Sequence, residues 1–223
     1  KKVSGSTIGL YLISLVGGER SFSYWRNNSA ATLLGQDRNE IEQAMKKQDL
    51  IYFSGITLAI LDQSSRHNLF SCLKLARRAG KKIAFDPNLR PKLWNDKAEM
   101  RDVIMAGANL SDIILPSFDD EAARFSDPDP ISTIRRYQNV GAETVIVKNG
   151  GKPVSYFSDQ AKGTYPINSV RGVVDSTAAG DSFNAEILVG ILQKIPLSEA
   201  IGNGANLAKR VIMGQGALVK SNV

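Results

Sequence analysis

Strand-like runs at residues 50–54, 82–85, 112–115 and 143–147 alternate with helical runs at 64–79, at 97–106 and at the pair 118–125 and 130–138. This alternation constrains the chain more than any other feature. A strand joined to the next through a helix runs parallel to it, and a parallel sheet needs helices over both faces. The stops agree. Gly80 closes the helical run at 64–79, Asp86-Pro87 and Pro116 end two strands, and Lys148-Asn149-Gly150-Gly151 ends the fourth.

Around this centre the pattern changes. Residues 8–15 and 21–26 read as short strands about the turn signal Gly17-Gly18, a β-hairpin in which Tyr24 and Arg26 share one face. A helix is expected at 39–47. Residues 153–157 and 163–167 read as an antiparallel excursion. Residues 178–192 and 196–213 read as two closing helices, the second carrying Gly202, Gly204, Ala205 and Ala208. The expected class is α/β.

Composition narrows the function. The 223 residues, 43% hydrophobic and 22% charged, supply one sizeable core and exclude a disordered or fibrous chain. No apolar run reaches the roughly 18 residues of a membrane span. The longest stretches, 8–17 and 51–61, are short and interrupted. A single cysteine, Cys72, excludes an internal disulfide and reads as core; it fits a reducing, cytoplasmic compartment. One histidine, His67, leaves no room for a histidine-rich metal site. The net charge of +6 is scattered, and pairs such as Lys46-Lys47 and Arg77-Arg78 read as solvated helix faces rather than a nucleic-acid surface.

In open parallel sheets, ligands sit beyond the carboxyl ends of the strands. That rule singles out Ser54, Asn88 and Arg90, Ser117 with Asp120, and Lys148 with Gly150. The sharpest local signal is Asp175-Ser176-Thr177-Ala178-Ala179-Gly180-Asp181-Ser182-Phe183. Small side chains let backbone N–H groups approach a ligand, and a helix beginning near Ala178 turns its free N–H groups toward an anion. Asp181, in the first turn, is placed to act as general base toward a hydroxyl. The same residues also suit an ordinary helix start, with Asp175 or Ser176 as cap and Asp181 as a first-turn acid. Neither GxxxxGK[ST] nor GxGxxG occurs, which excludes a P-loop and an intact dinucleotide fingerprint.

The run VDSTAAGDSFNA at 174–185 resembles the second signature of the ribokinase-like (PfkB) sugar kinases, usually written DTxGAGD. GLY at 9–11, GERSFSYWRN at 18–27, SGITLAIL at 54–61, FDPNLRPKLW at 85–94, LPSFDDE at 115–121 and VIVKNG at 145–150 follow in the family's order. They are similar to the branch that acts on the sugar acid 2-keto-3-deoxygluconate. The resemblance implies a ribokinase-like three-layer α/β/α fold with a mostly parallel central sheet and a small β lid. Residues 1–31 would be the hairpin part of the lid, and 32–223 the nucleotide and phosphoryl-transfer domain.

The resemblance also implies roles. ATP would be the donor and Mg2+ the metal. Asp181 matches the base that takes the proton of the sugar hydroxyl. Ala178, Ala179 and Gly180 match the anion hole, a set of preoriented backbone dipoles. Tyr11, Tyr24 and Arg26 match residues on the sugar acid, whose carboxylate suits an arginine fork. Asn88 and Arg90 match further substrate-side residues, Arg90 serving either the sugar or the transferred phosphate. Ser117 and Asp120 stand where the family has the Asn and Glu of an NxxE motif that organises Mg2+, with Glu121 as a neighbouring candidate. Lys148 and Gly150 match the nucleotide side, Asn206 and Ala208 the adenine region, and Gly216 the same surroundings. Lids in such relatives pair between subunits, which implies a homodimer.

Three departures stand out. Ala178 occupies a position where many relatives have Gly, and an alanine serves there provided helical dihedrals hold. Glu186 also replaces a usual Gly. Full-length members are longer at the front, where a first strand and a glycine-rich sugar-binding signature lie. Those parts, with some of the lid, are expected to fall outside these 223 residues.

Overall fold

The computed structural model describes residues 2–16, 19–168 and 170–219; the side chains of residues 13–16, 19–22 and 24 are outside that description. Two antiparallel strands, β1 (Leu10–Val16) and β2 (Glu19–Trp25), form their own small sheet, with Tyr11 opposite Tyr24. The expected Gly17-Gly18 turn lies outside the described residues.

The main sheet has six strands in sequence order: β3 (Leu50–Ser54), β4 (Lys82–Asp86), β5 (Ile113–Ile114), β6 (Thr144–Val147), β7 (Val154–Phe157) and β8 (Lys162–Tyr165). The first four are parallel and the last two antiparallel. β5 is shorter than expected, although Asp112 just before it keeps its backbone bonds to both neighbours, donating to Ile83 O at 2.8 Å and accepting from Thr144 N at 2.9 Å. Its carboxylate accepts from Ile83 N at 2.8 Å and from Arg77 Nε at 2.8 Å, so it serves as a buried brace.

Among the described residues eight α-helices surround the sheet: α1 (Arg38–Lys46), α2 (Gly55–Ile60), α3 (Gln63–Arg78), α4 (Lys97–Asn109), α5 (Phe118–Phe125), α6 (Pro130–Gln138), α7 (Ala179–Leu192) and α8 (Leu197–Ile212). The period of two along each strand divides the core. Phe85, Ile114, Val145 and Val147 face the layer containing Leu58, Leu73, Ile104 and Ile134. Ala84, Ile113, Leu115 and Ile146 face Phe183, Ile187 and Ile201 of α7 and α8. The result is three layers, α1–α6 on one face and α7–α8 on the other. Cys72 is a buried member of the first core.

Asp37, Asp62, Asp96 and Asp129 cap α1, α3, α4 and α6 by accepting from backbone N–H groups of the first turn. The helices α5 and α7 start without a side-chain cap, and both start at the cavity described below.

The helix α2 is absent from the sequence expectation, which assigns residues 55–60 to an apolar run and a family motif but to no element. Gly55 makes it possible: a Cβ there would lie 1.9 Å from the Pro87 carbonyl oxygen and 2.7 Å from Ile104 Cδ1. The close approach seats the β3–α2 turn against the end of β4. Because backbone yields less than a side chain tip, Gly55→Ala is expected to lower unfolding free energy by at least the upper part of the roughly 1–3 kcal/mol cost of overpacking. Urea denaturation of the two proteins measures this.

Candidate active site

The segment before α7 is built by one carboxylate. Asp175 accepts from Thr177 N at 2.9 Å and from its hydroxyl at 2.7 Å through one oxygen, and from Gly216 N at 3.1 Å through the other. It therefore folds the loop rather than capping the helix, and the cap position falls to Ala178. Gly216 acts by tying the chain after α8 to this loop; it is not among the residues lining the cavity.

Ala178 has φ +61°, ψ +9°. The expectation of helical dihedrals there is wrong. The chain needs a left-handed residue to turn from the Asp175 loop into α7, and the Cβ of an L-residue costs roughly 1–2 kcal/mol in that region. This explains physically why glycine suits the position. The Ala179 N–H is directed to Ser176 O at 3.3 Å, whereas among the described residues those of Gly180 and Asp181 have no backbone acceptor.

A cavity of about 550 Å³ opens beside this turn. It brings together Ser117, Lys148, Gly150, Ala179, Gly180, Asn206 and Ala208 of the expected set. Val154, Phe183 and Ile212 add apolar wall, and Lys209 adds a cation. Gly202 and Ala205 line the α8 side, where the Tyr165 hydroxyl packs so close that a Cβ on Gly202 would lie 2.6 Å from it.

Asp181 lies outside that lining and is exposed. It shares a helical face with Asn184, three residues on. Asn184 is almost fully buried and sits in a polar network. Its amide nitrogen donates to Asp86 Oδ2 at 2.7 Å and to the Tyr52 hydroxyl at 3.2 Å. Its amide oxygen accepts from Lys148 Nζ at 2.9 Å, and the same ammonium reaches Asp86 Oδ2 at 3.1 Å. Burial, with the nearby charges of Asp86 and Asp181, pushes the Tyr52 phenol well above its ordinary pKa, so it stays neutral. The first turn of α7 thus separates two compartments, the cavity on one side and the Tyr52–Asp86 side on the other.

Asn88 and Arg90 belong to the second compartment. Asp86 Oδ1 accepts from Asn88 N at 3.0 Å, and Asn88 adopts φ +35°, which asparagine tolerates better than most residues. Arg90 donates to Leu89 O at 2.9 Å and approaches Asp120 at 3.6 Å, with both side chains partly open to solvent. Desolvation raises the Asp120 pKa, partly offset by Arg90.

The structure removes Glu121 from the candidate metal ligands. Its side chain is fully buried behind α5, where one oxygen accepts from Arg136 Nη2 at 2.6 Å and from the Tyr137 hydroxyl at 3.0 Å. The other oxygen has no partner among the described residues. Arg136 also binds Asp127, so a single guanidinium serves two carboxylates; desolvation pushes Glu121 up to about 7. Asp120, one position earlier on the helix, faces the site instead. No group of three or more potential protein ligands for a metal occurs among the described residues.

At the hairpin, the Arg26 guanidinium lies 5.5 Å from the centre of the half-exposed Tyr11 ring. The side chain of Tyr24 is outside the described set. Glu186 is half-buried on α7, and nothing in the structure explains a glutamate there. Tyr52, Asp86 and Asn184 are the members that sequence reading missed. Asp86 is legible as part of the Asp86-Pro87 stop after the 82–85 strand, and Asn184 lies within the quoted 174–185 run, but only the fold shows that they meet.

An α/β/α sheet with a helix start and a free carboxylate beside a nucleotide-sized cavity suits phosphoryl transfer. The chain belongs to the pfkB family of carbohydrate kinases, whose family model matches residues 1–221. It is similar to the 2-dehydro-3-deoxygluconokinase of Haemophilus influenzae, 40% identical over 217 residues that make up 95% of this chain and 69% of that protein. It is also similar to the 2-dehydro-3-deoxygluconokinase of Escherichia coli K12, 36% identical over 218 residues, 95% of this chain and 70% of that protein. The crystal structure of a 2-dehydro-3-deoxygluconokinase from Thermotoga maritima has the same fold, with a TM-score of 0.80 at 20% identity over 96% of this chain and 70% of that one.

Two outcomes follow from the local geometry. Ala178→Gly is expected to raise stability by about 1 kcal/mol, since relief of left-handed strain exceeds the added freedom of the unfolded chain; thermal denaturation reads it. The raised Glu121 pKa means that the folded state holds its proton more tightly than the unfolded state. That stabilisation is complete below the ordinary carboxylate pKa and is lost as pH rises through about 7. Stability should therefore fall between about pH 4.5 and 7, and Glu121→Gln should flatten that slope. Equilibrium urea unfolding across this range checks the sign.

Proposed function

We propose that this chain carries out ATP-dependent phosphorylation of 2-dehydro-3-deoxy-D-gluconate at its primary hydroxyl, yielding 2-dehydro-3-deoxy-6-phosphogluconate. The observation that carries the reading is the position of Asp181, an exposed carboxylate in the first turn of a helix whose preceding residues line a nucleotide-sized cavity. The identity to proteins named 2-dehydro-3-deoxygluconokinase supports the choice of sugar acid.

The residues fit the donor. Asn206, with the small residues Ala205 and Ala208 of α8, accepts a base, and Gly150 and Ser117 flank the polyphosphate. The Gly180 and Asp181 N–H groups, which have no backbone acceptor among the described residues, stabilise charge on the group in transit. Asp120 is the carboxylate that suits Mg2+, an ion that keeps several waters and binds through few protein oxygens. When bound, Mg2+ neutralises charge on the phosphates.

On the acceptor side, Asp181 takes the proton from the primary hydroxyl as it attacks. Asn88 and Arg90 orient the sugar, and Arg90, already beside Asp120, reaches the transferred phosphate. Tyr11, Tyr24 and Arg26 hold the carboxylate end, as the hairpin of residues 1–31 closes over the 32–223 body and excludes water. Ile8, Leu10, Leu12 and Trp25 leave that hairpin with an exposed apolar surface, which pairs with a second copy to form a dimer. No helix among the described residues is long and apolar enough to cross a membrane, and the lone cysteine suits the cytoplasm.

A coupled assay for ADP with 2-dehydro-3-deoxy-D-gluconate, fructose, ribose and gluconate tests the reading. Turnover is expected for the first, with kcat down about 10³-fold in Asp181→Asn, within the range for a lost general base. Arg26→Gln is expected to raise KM for the sugar acid about tenfold or more, the cost of a lost charged hydrogen bond. Turnover of neutral sugars alone, indifferent to Arg26, would overturn the assignment of substrate.

A further inference from the structure

The cluster of Asp86, Lys148 and Asn184 has a charge balance that bears on Lys148. Resemblance assigns this lysine to the nucleotide, and it does line the cavity. Its ammonium is nevertheless committed, 3.1 Å from Asp86 and 2.9 Å from Asn184, with side-chain exposures of 12% for Lys148 and 5% for Asp86. A buried carboxylate stripped of its cation is costly, so a lysine that swung to a phosphate would leave Asp86 unbalanced. The amide of Asn184 is oriented by the same pair. Its oxygen faces the ammonium, and its nitrogen faces the carboxylate and Tyr52. Through its second oxygen, Asp86 also holds the Asn88 turn at φ +35°.

We infer that Asp86, Lys148 and Asn184 form a positioning unit that fixes the first turn of α7, and with it Asp181, against the loop carrying Asn88 and Arg90. The inference rests on the proposed kinase reaction for its catalytic readout. Lys148 on this account orients the base instead of binding the nucleotide. Each member comes from a different strand end or helix: Asp86 from β4, Lys148 from the end of β6, and Asn184 from α7. The unit therefore joins the donor cavity, the base and the acceptor loop at one point. None of the three needs to touch either substrate.

Steady-state kinetics of the full-length protein, with the sugar that the wild type turns over, separate the two roles of the lysine. Lys148→Met is expected to lower kcat by about 30-fold or more while leaving the KM for ATP within about threefold. The double variant Asp86→Asn/Lys148→Met is expected to lose no more activity than the worse single variant, because ion and counter-ion leave together. A rise of about tenfold or more in the KM for ATP, with kcat near wild type, would overturn the inference. So would multiplicative losses in the double variant. If Lys148→Met melts below the assay temperature, the double variant carries the test on the same kcat-against-KM criterion. A wild type that phosphorylates no sugar in the panel refutes the functional reading alone. Calorimetric ATP affinity of Lys148→Met then decides: a change within about threefold supports the positioning role, and a loss of about tenfold or more overturns it.

Discussion

The carboxylate of Asp86 sits at the carboxyl end of β4, almost removed from water; Lys148 at the end of β6 balances its charge, and Asn184 of α7 donates a hydrogen bond to it. A buried ion of this kind is tolerated when its partners are in place and becomes a liability when any is lost. That requirement ties three separate parts of the chain to one point. The strained Asn88 turn hangs from one oxygen and the α7 network from the other. The candidate base, the acceptor loop and the mouth of the cavity take their mutual positions from it.

The two faces of the sheet handle charge differently. Behind α5, Arg136 is shared by Asp127 and Glu121, and its guanidinium stacks 3.8 Å from the centre of the Phe125 ring. One cation cannot fully compensate two desolvated acids, which is why Glu121 is driven toward its neutral form. The neighbouring Asp120 projects from the other side of the same helix and keeps Arg90 within reach. Adjacent acids in one short helix thus have separate fates, one as internal brace and one as site residue. Asp side chains cap α1, α3, α4 and α6 at ends that do not line the cavity, while α5 and α7, like α2 and α8, start without a side-chain cap.

Much of this architecture was legible beforehand, for reasons rooted in local chemistry. The apolar strand runs, the breaks at Gly80, Asp86-Pro87 and Pro116, and the small-residue segment before Asp181 are all short-range signals. Each element of the parallel sheet was placed within a few residues. Lines of failure follow long-range contact. The helix α2 depends on the Pro87 carbonyl passing over Gly55, 32 positions earlier in the chain, and no window centred on residues 55–60 contains that information. Asp175 looked like a helix cap, but its oxygens are taken by Thr177 and by Gly216, so the helix starts later and on a left-handed alanine.

By itself, the amino-acid sequence determined the fold class, the order of elements and the small set of polar residues at strand ends, because alternation of period and turn chemistry is written in neighbouring residues. Tertiary structure alone decided which of those polar residues are free to act. Lys148, Glu121 and Asp120 are all charged side chains beyond strand ends in the sequence. Only folding shows that the first is consumed by Asp86, the second sealed against Arg136, and the third left facing the site. The physical reason is that desolvation and charge pairing are set by what packs around a group, and for these residues the decisive neighbours lie on other strands and helices.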